Sequence, residues 1–311
     1  MPINLPDLNK YLATFQAEGV AYPLCQVPIA IDGLLNALPA PAGQQKGWPW
    51  TEQIAPEAYS DKTTWPKLTI VTPSYNQAAF LEQTIRSVLL QNYPNLEYIV
   101  IDGGSTDGSL DIIKKYEPWL SYQQSKADRG QSNAINLGFS LASGNYHSWI
   151  NSDDYYLKGT FIKTITRFEQ TGTDFIYGYC LEYDVVTAKS KLMQVLPLKD
   201  YFLRLPSLAQ PACFWRATIH QPIWEELHCS LDYELWLRMV KGRKSSLIKQ
   251  PLAVASVHAG AKTHNPSMKG KWQHDHELIC ANDAHGSVPD WNRRVMLNRI
   301  RAKVYKWFNL Y

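Results

Sequence analysis

The sequence is short of cysteine, of one-sided charge and of long apolar runs, and each shortage removes a class of protein. Its five cysteines, Cys25, Cys180, Cys213, Cys229 and Cys280, are odd in number, widely spaced and form no C-x-x-C pair. That pattern builds no disulfide framework, so reduced, mostly structural thiols in a cytoplasmic protein are expected. No window approaches the roughly 18 apolar residues of a spanning helix; any membrane contact is expected from the surface. The N-terminus, MPINLPDLNK, lacks the basic and apolar regions of a secretory signal. A net charge of +3 and a pI near 8.4 are too mild to point to nucleic acid. G-x-G-x-x-G is missing after the first apolar strand, which argues against a dinucleotide-binding domain.

What is present is an ordinary globular composition. Hydrophobic residues make up 45% of 311 and charged residues 19%, enough for one large domain or two small ones with a proper core. Eleven tryptophans are read first as core packing. Residues 1–66 carry recurrent proline (Pro23, Pro28, Pro39, Pro41, Pro49, Pro56, Pro66) and read as an extended arm with one short helix near Asp7–Glu18. From Lys67 a strand–helix rhythm begins. The strands are KLTIVTP, Leu96–Ile101, a weaker one at Leu120–Gln124, and Tyr146–Ile150. Ala78–Gln91, a helix ending near Tyr116, and Gln131–Ala142 alternate with them. This alternation predicts an α/β fold with a mostly parallel central sheet and helices on both faces. Beyond a helix at Lys158–Gln170 the expected elements are a strand at Phe175–Cys180, a hairpin within Glu182–Leu196, the strand ACFW, a helix at Leu231–Val240 and an apolar run, Leu247–Val257, broken by Pro251.

Chemistry is expected where ligands sit in such folds, outside the carboxyl ends of the strands. Three polar turns fall there: PSYNQ, DGGSTDG and NSDD. In the first, Tyr75 is suited to stacking on a base. In the second, Asp102 is an acceptor for a base N–H or a ribose hydroxyl, and Gly103 and Gly104 let a ligand approach the backbone. In the third, Asp153 and Asp154 repel one another unless a cation or hydrogen bonds offset them, and a hard divalent ion bridging to phosphate is the natural offset. Arg129-Gly130-Gln131 opens a helix whose N-terminus is suited to phosphate.

The stretches TIVTPSYNQAAFLEQTIRSVLLQNYPNLEYIVIDGGSTDGS, DRGQSNAINLGFSLASGNY and WINSDD together resemble the family 2 glycosyltransferases of GT-A fold. The likeness is dense from Lys67 to Asp154 and thinner through Phe214–Arg216 and Leu231–Arg238. It implies an inverting transfer of a sugar from a nucleotide-sugar donor, UDP-, GDP- or dTDP-linked, to a saccharide or lipid-linked saccharide acceptor. It implies nucleotide binding by Pro73, Tyr75 and Asp102, with Gln131 beside the phosphates. Ser152-Asp153-Asp154 matches the D-x-D-type motif: Asp154 as ligand of Mg²⁺ or Mn²⁺, Asp153 toward ribose or donor sugar. Asn151 stands where many members have Asp, and removes one charge. Asp232 matches the base position, with Glu234 as runner-up, and His258 in VHAGAKTH falls where relatives place a histidine near diphosphate or metal. The implied layout is an N-terminal extension (1–66), a GT-A domain (67–260, with a nucleotide-binding half to 154 and an acceptor half from 155) and a basic amphipathic tail (261–311). Cell-surface polysaccharide or lipopolysaccharide synthesis is what such enzymes commonly serve.

Two rival readings stand beside this one: a nucleotide-sugar-binding protein without catalysis, and a metal-dependent nucleotidyltransferase or hydrolase using Asp153, Asp154 and His258. The first has no use for a base at Asp232, and the second normally has a basic Gly-rich loop where this chain has PSYNQ. His274-Asp275-His276 reads as a solvated face. In the last stretch, Trp291–Tyr311, Leu297, Ile300, Val304, Trp307 and Tyr311 share one helical face, and Arg293, Arg294, Arg299, Arg301, Lys303 and Lys306 make it strongly cationic, with no acid in the stretch. That helix is suited to packing on the domain, to binding a partner, or to peripheral contact with an anionic membrane.

Overall fold

The alternating strands and helices between Leu68 and Trp149 assemble into one parallel sheet, seen in a computed structural model that describes residues 3–41, 43–198, 208–282 and 288–308. Strands β1 (Leu68–Ser74), β2 (Leu96–Asp102), β3 (Tyr122–Ser125) and β4 (Tyr146–Trp149) pair in the order β3-β2-β1-β4, all parallel. The sheet continues through β8 (Cys213–Arg216), which runs antiparallel between β4 and β6 (Phe175–Asp184), then β9 (Ser245–Val257) and the two-residue β5 (Tyr155–Tyr156). The predicted hairpin is β6 with β7 (Lys189–Met193). Pro251 lies at an irregularity where the β6–β9 register shifts opposite Tyr179. A proline inside a strand is tolerated at such a position because no ladder donor is needed from it.

Alternate residues of the strands feed two cores. Leu68, Ile70, Tyr98 and Val100 face helices α2 (Ala78–Leu89), α3 (Ser109–Tyr116) and α5 (Thr160–Thr171). Val71, Ile99 and Ile101 face α1 (Leu8–Ala17), α4 (Gln131–Ser140), α6 (Leu231–Met239) and α7 (Lys269–Asn282). Helices therefore cover both faces, as the alternation predicted. Helix α4 lies close on the sheet because Gly138 has no side chain: a Cβ there would stand 2.4 Å from Val71 Cγ1.

The proline-rich arm is bound down, and its anchor is a buried cation. Arg86 of α2 is 1% exposed and donates to the carbonyl oxygens of Pro39 (2.9 Å), Pro49 (3.1 Å) and Trp50 (2.9 Å) and to the Tyr116 hydroxyl. The arm also contributes Val27, Leu34 and Leu38 to the first core. The helix expected near Asp7–Glu18 is α1, started by the Asp7 carboxylate accepting from the Asn9 N–H. At the other end, α8 (Val288–Trp307) leaves Leu297, Ile300, Val304 and Trp307 exposed; Tyr311, placed on the same face by the sequence, lies outside the described residues. Among the described residues no helix is long and apolar enough to cross a membrane.

A histidine pair makes this fold acid-sensitive. His147 of β4 stacks on Phe139 and lies 5.3 Å from the His220 ring. Burial pushes the His147 imidazole down to about 4 from its ordinary 6.5, against a smaller upward pull from the Gly144 backbone. His220 is also depressed, by burial first and then by the charges of His147 and Arg238. Between those pH values the unfolded chain binds more protons than the native one. The stabilisation is thus complete above pH 6.5 and is lost as pH falls toward 4. For His147 alone the loss amounts to about 3 kcal/mol. Urea unfolding at pH 6.5, 5.5 and 4.5 should show a shallower acid decline for His147→Leu than for the wild type; parallel declines would contradict the assignment.

Candidate active site

Because β1, β2 and β4 are parallel, their carboxyl ends open on one edge, with Ser74 opposite Asp102 in register. The first two turns lock together there. The Asn76 N–H donates to Ser105 Oγ (2.7 Å), the Thr106 N–H to Asn76 Oδ1 (2.9 Å) and the Ala78 N–H to Asp107 Oδ2 (2.8 Å). Tyr75 projects from this frame at 63% exposure, while Pro73 remains buried in β1. Asp102 is wholly buried, and its carboxylate serves the turn itself. Oδ2 accepts from the Gly104 and Ser105 N–H groups and from Ser125 Oγ, and Oδ1 from Ser105 Oγ. Asp102 thus shapes the Gly103-Gly104 approach from beneath, and Tyr75 is the accessible group.

The third turn carries the acids. Thr84 of α2 donates to the carbonyl oxygens of Ser152 (3.0 Å) and Asp154 (2.6 Å), which fixes the turn after β4. Asp154 is 6% exposed; Oδ1 accepts from the Ser256 N–H (2.9 Å) and Oδ2 from Asn151 Nδ2 (3.4 Å). Burial first, and then the charge of Asp153, hold its carboxyl well above the usual carboxylate range. Asp153 is less enclosed and lies 3.1 Å from His258 Nε2, whose ring rests against Phe80 at 4.5 Å. Asp153, Asp154 and His258 are therefore brought together.

Among the described residues no group of three or more His, Cys, Asp or Glu is arranged as a ready metal cage. The donor set nevertheless fits a hard divalent ion. Adjacent carboxylates, one desolvated, are relieved by positive charge, and Mg²⁺ commonly takes one or two carboxylates with water and phosphate oxygens completing its shell.

Gln131 and Asn151 extend the site sideways. Gln131 Nε2 donates to Asn151 Oδ1 (2.8 Å), and Gln131 Oε1 accepts from Lys262 Nζ (2.6 Å), which also donates to the His228 carbonyl (2.9 Å). A hydrogen-bonded chain thus runs from Asp154 through Asn151 and Gln131 to a lysine whose charge burial disfavours. Lys262 escaped the residue-by-residue reading. Its signal was a cation four positions after His258 in a Gly-containing loop.

Asp232 stands on a different element. Helix α6 is held against β4 by Trp236 stacking on Trp149, centroids 5.6 Å apart. In its first turn Asp232 is half-buried, and desolvation pushes its carboxyl up to about 6 despite the N–H groups of Tyr233 and its own backbone. Glu234 is occupied otherwise. It is 3% exposed and forms a two-point ion pair with Arg238, which also grips Gln221 and the Pro222 carbonyl. Of the two acids, Asp232 is the one without a cationic clamp among the described residues. A second departure concerns HDH: His274 is exposed, but Asp275 is wholly buried rather than part of a solvated face.

Known proteins resemble this chain in sequence and in fold. The sequence model described as Glycosyl transferase family 2 matches residues 69–223. An uncharacterized glycosyltransferase of Rickettsia prowazekii is 26% identical over 215 residues, covering 64% of this chain and 66% of that one. The putative teichuronic acid biosynthesis glycosyltransferase TuaG of Bacillus subtilis is 33% identical over 124 residues, 38% of this chain and 49% of its own. The chain thus spans less than two thirds of these curated relatives' lengths. Among solved structures, S. aureus TarS 1-349 in complex with UDP-GlcNAc superposes with a TM-score of 0.55 at 18% identity, covering 74% of this chain and 70% of that one. The mannosyltransferase PcManGT from Pyrobaculum calidifontis, in complex with GDP-Man and Mn²⁺, gives 0.54 at 16% identity, covering 96% and 81%. At these identities the likeness is one of fold, and the fold is GT-A. With its parallel strands carrying the matched segment and their ends carrying Asp102, Asp153 and Asp154, the chain belongs to glycosyl transferase family 2.

Proposed function

We propose that this chain is a metal-dependent, inverting glycosyltransferase that moves a sugar from a nucleotide-sugar donor to an acceptor hydroxyl. The observation that carries the reading is the acid turn after β4, where a desolvated Asp154 sits beside Asp153 and His258. Tyr75 stacks on the base above the turn that Asp102 shapes, and Pro73 fixes the end of β1 beneath it. Asp153 faces ribose or donor sugar. Asp154, with His258, holds Mg²⁺ or Mn²⁺. A divalent ion there supplies positive charge to the diphosphate as it leaves. Gln131 and Asn151 keep the acids oriented from the side.

Asp232 is the base. It takes the proton of the acceptor hydroxyl as that oxygen bonds to the anomeric carbon; the bond from that carbon to the diphosphate oxygen breaks, and the configuration inverts. A carboxyl near 6 is matched to such work at neutral pH, since it is mostly ionised yet still a useful proton acceptor. The rival of a non-catalytic binding protein leaves this desolvated acid without a task. TuaG's name, with its teichuronic acid, supports a cell-surface polymer as the product.

The C-terminal helix supports work at the cytoplasmic face of a membrane. Trp307 and Phe308 are 86% and 66% exposed, in line with Leu297, Ile300 and Val304. Residues 291–311 hold six cations and no acid. An apolar stripe with positive charge alone around it fits an anionic bilayer. The protein should float with phosphatidylglycerol vesicles, not with phosphatidylcholine ones, and Ile300→Glu with Trp307→Glu should abolish flotation. Recovery in neither vesicle fraction would remove the membrane role.

For the base, the test is nucleotide release from a panel of UDP-, GDP- and dTDP-sugars. Asp232→Asn should bind the same donor as wild type while release falls by about 10²–10⁴-fold, and the wild-type rate should decline below about pH 6. Release at the wild-type rate by Asp232→Asn would show that the base is elsewhere.

A further inference from the structure

Helix α7 carries a carboxylate wholly withdrawn from solvent, Asp275. Its Oδ2 accepts from three consecutive backbone N–H groups, those of His228 (3.1 Å), Cys229 (2.7 Å) and Ser230 (2.8 Å), and its Oδ1 from His228 (3.1 Å). Burying a carboxylate is unfavourable unless hydrogen bonds compensate it, and bonds from N–H to an ionised acceptor are the strong kind. The three amides lead straight into α6, which begins at Leu231 and has Asp232 in its first turn. Ser230, the N-cap of that helix, makes no capping bond with its own side chain. An acid 45 positions along the chain holds the N–H of the N-cap residue itself.

The same short loop is linked to the acid turn through two intervening side chains, Lys262 and Gln131. The His228 carbonyl accepts from Lys262, which reaches Asn151 and Asp154 through Gln131. Residues 228–230 are thus the junction between the elements that hold the donor and the helix that holds the base. A rigid link at that junction sets how far Asp232 stands from the reacting centre.

We propose that Asp275 is a positioning residue for the transfer reaction: by gripping the amides of residues 228–230 it fixes the first turn of α6 and aims Asp232 at the acceptor hydroxyl. This rests on the reading of Asp232 as the base. Asp275 itself touches no substrate. Its loss therefore acts first on turnover, because Tyr75, Asp153 and Asp154, the groups proposed to hold the donor, are fixed by contacts that Asp275 does not make.

The experiment compares wild type, Asp275→Ala, Asp275→Asn and Asp232→Asn. Three quantities are read: nucleotide release from UDP-Glc, UDP-GlcNAc, GDP-Man and dTDP-Glc with Mn²⁺ and water as acceptor, the donor Kd, and amide hydrogen exchange over residues 228–235. Asp275→Ala should lower kcat by about 10²-fold, the scale of a misplaced catalytic group, with donor Kd unchanged and exchange accelerated in that segment. Asp275→Asn keeps an acceptor oxygen and should restore most of the rate and the protection. Should Asp275→Ala not fold, Asp275→Glu, which keeps the charge but moves it by one methylene, should show the same split of lowered kcat at unchanged Kd. A donor Kd that worsens in step with kcat, or unchanged exchange, would overturn the proposal. If Asp232→Asn is inactive while Asp275→Ala works at the wild-type rate, the positioning role alone fails. If wild type releases nucleotide from no donor, or Asp232→Asn is fully active, the base reading fails and this role falls with it.

Discussion

Two carboxylates on neighbouring residues, one of them desolvated, are the constraint around which this molecule is arranged. Asp154 is held above the usual carboxylate range by burial and by Asp153, so the turn after β4 is an unfavourable place for negative charge until a cation arrives. The surrounding elements keep it in place. Thr84 of α2 grips the turn's carbonyls, Ser256 of β9 donates to one Asp154 oxygen and Asn151 to the other. These contacts come from separate parts of the chain, and the sheet order β1-β4-β8-β6-β9 is what brings them to one edge. The pairing with β9 also determines where His258 emerges, since it follows that strand directly.

The same logic extends to residues that do no chemistry. Arg86 satisfies its guanidinium on arm carbonyls, so the proline-rich N-terminus becomes part of the covering of the first core. On the opposite face α7 joins the second core through Ile279 and Cys280 and holds the segment before α6 through Asp275. Segments at both ends of the chain are thus tied to the central sheet by buried charge. Such charge is tolerated because every partner is a backbone group or a hydroxyl at hydrogen-bond distance.

The parallel half of the fold was legible because its signals are local. Runs such as LEYIVI and the apolar spacing of α2 state strand and helix within a few residues, and polar turns mark the strand ends where a site belongs. The NSDD turn stands out on those grounds together with the family resemblance, and Asp232 through the resemblance alone. What escaped was set by distant partners. The insertion of β8 antiparallel between β4 and β6 depends on three strands far apart in sequence. Pro251 looked like a break, yet it sits at a register shift that needs no donor. Asp275, flanked by two histidines, reads as a polar surface until the amides of residues 228–230 are placed against it. Glu234, the runner-up to Asp232 in the sequence, is buried in a pairing with Arg238 that the sequence does not announce.

The central claim, that the acid turn is built to be completed by a divalent ion together with a nucleotide diphosphate, is tested most directly by calorimetric titration of nucleotide sugars in Mn²⁺ and again in EDTA. The account predicts that one donor binds in Mn²⁺, that EDTA removes the binding, and that Asp154→Ala removes it even with Mn²⁺ present. Donor binding of equal strength in EDTA and in the Asp154→Ala protein would contradict it, and would leave the desolvated acid pair without its cation.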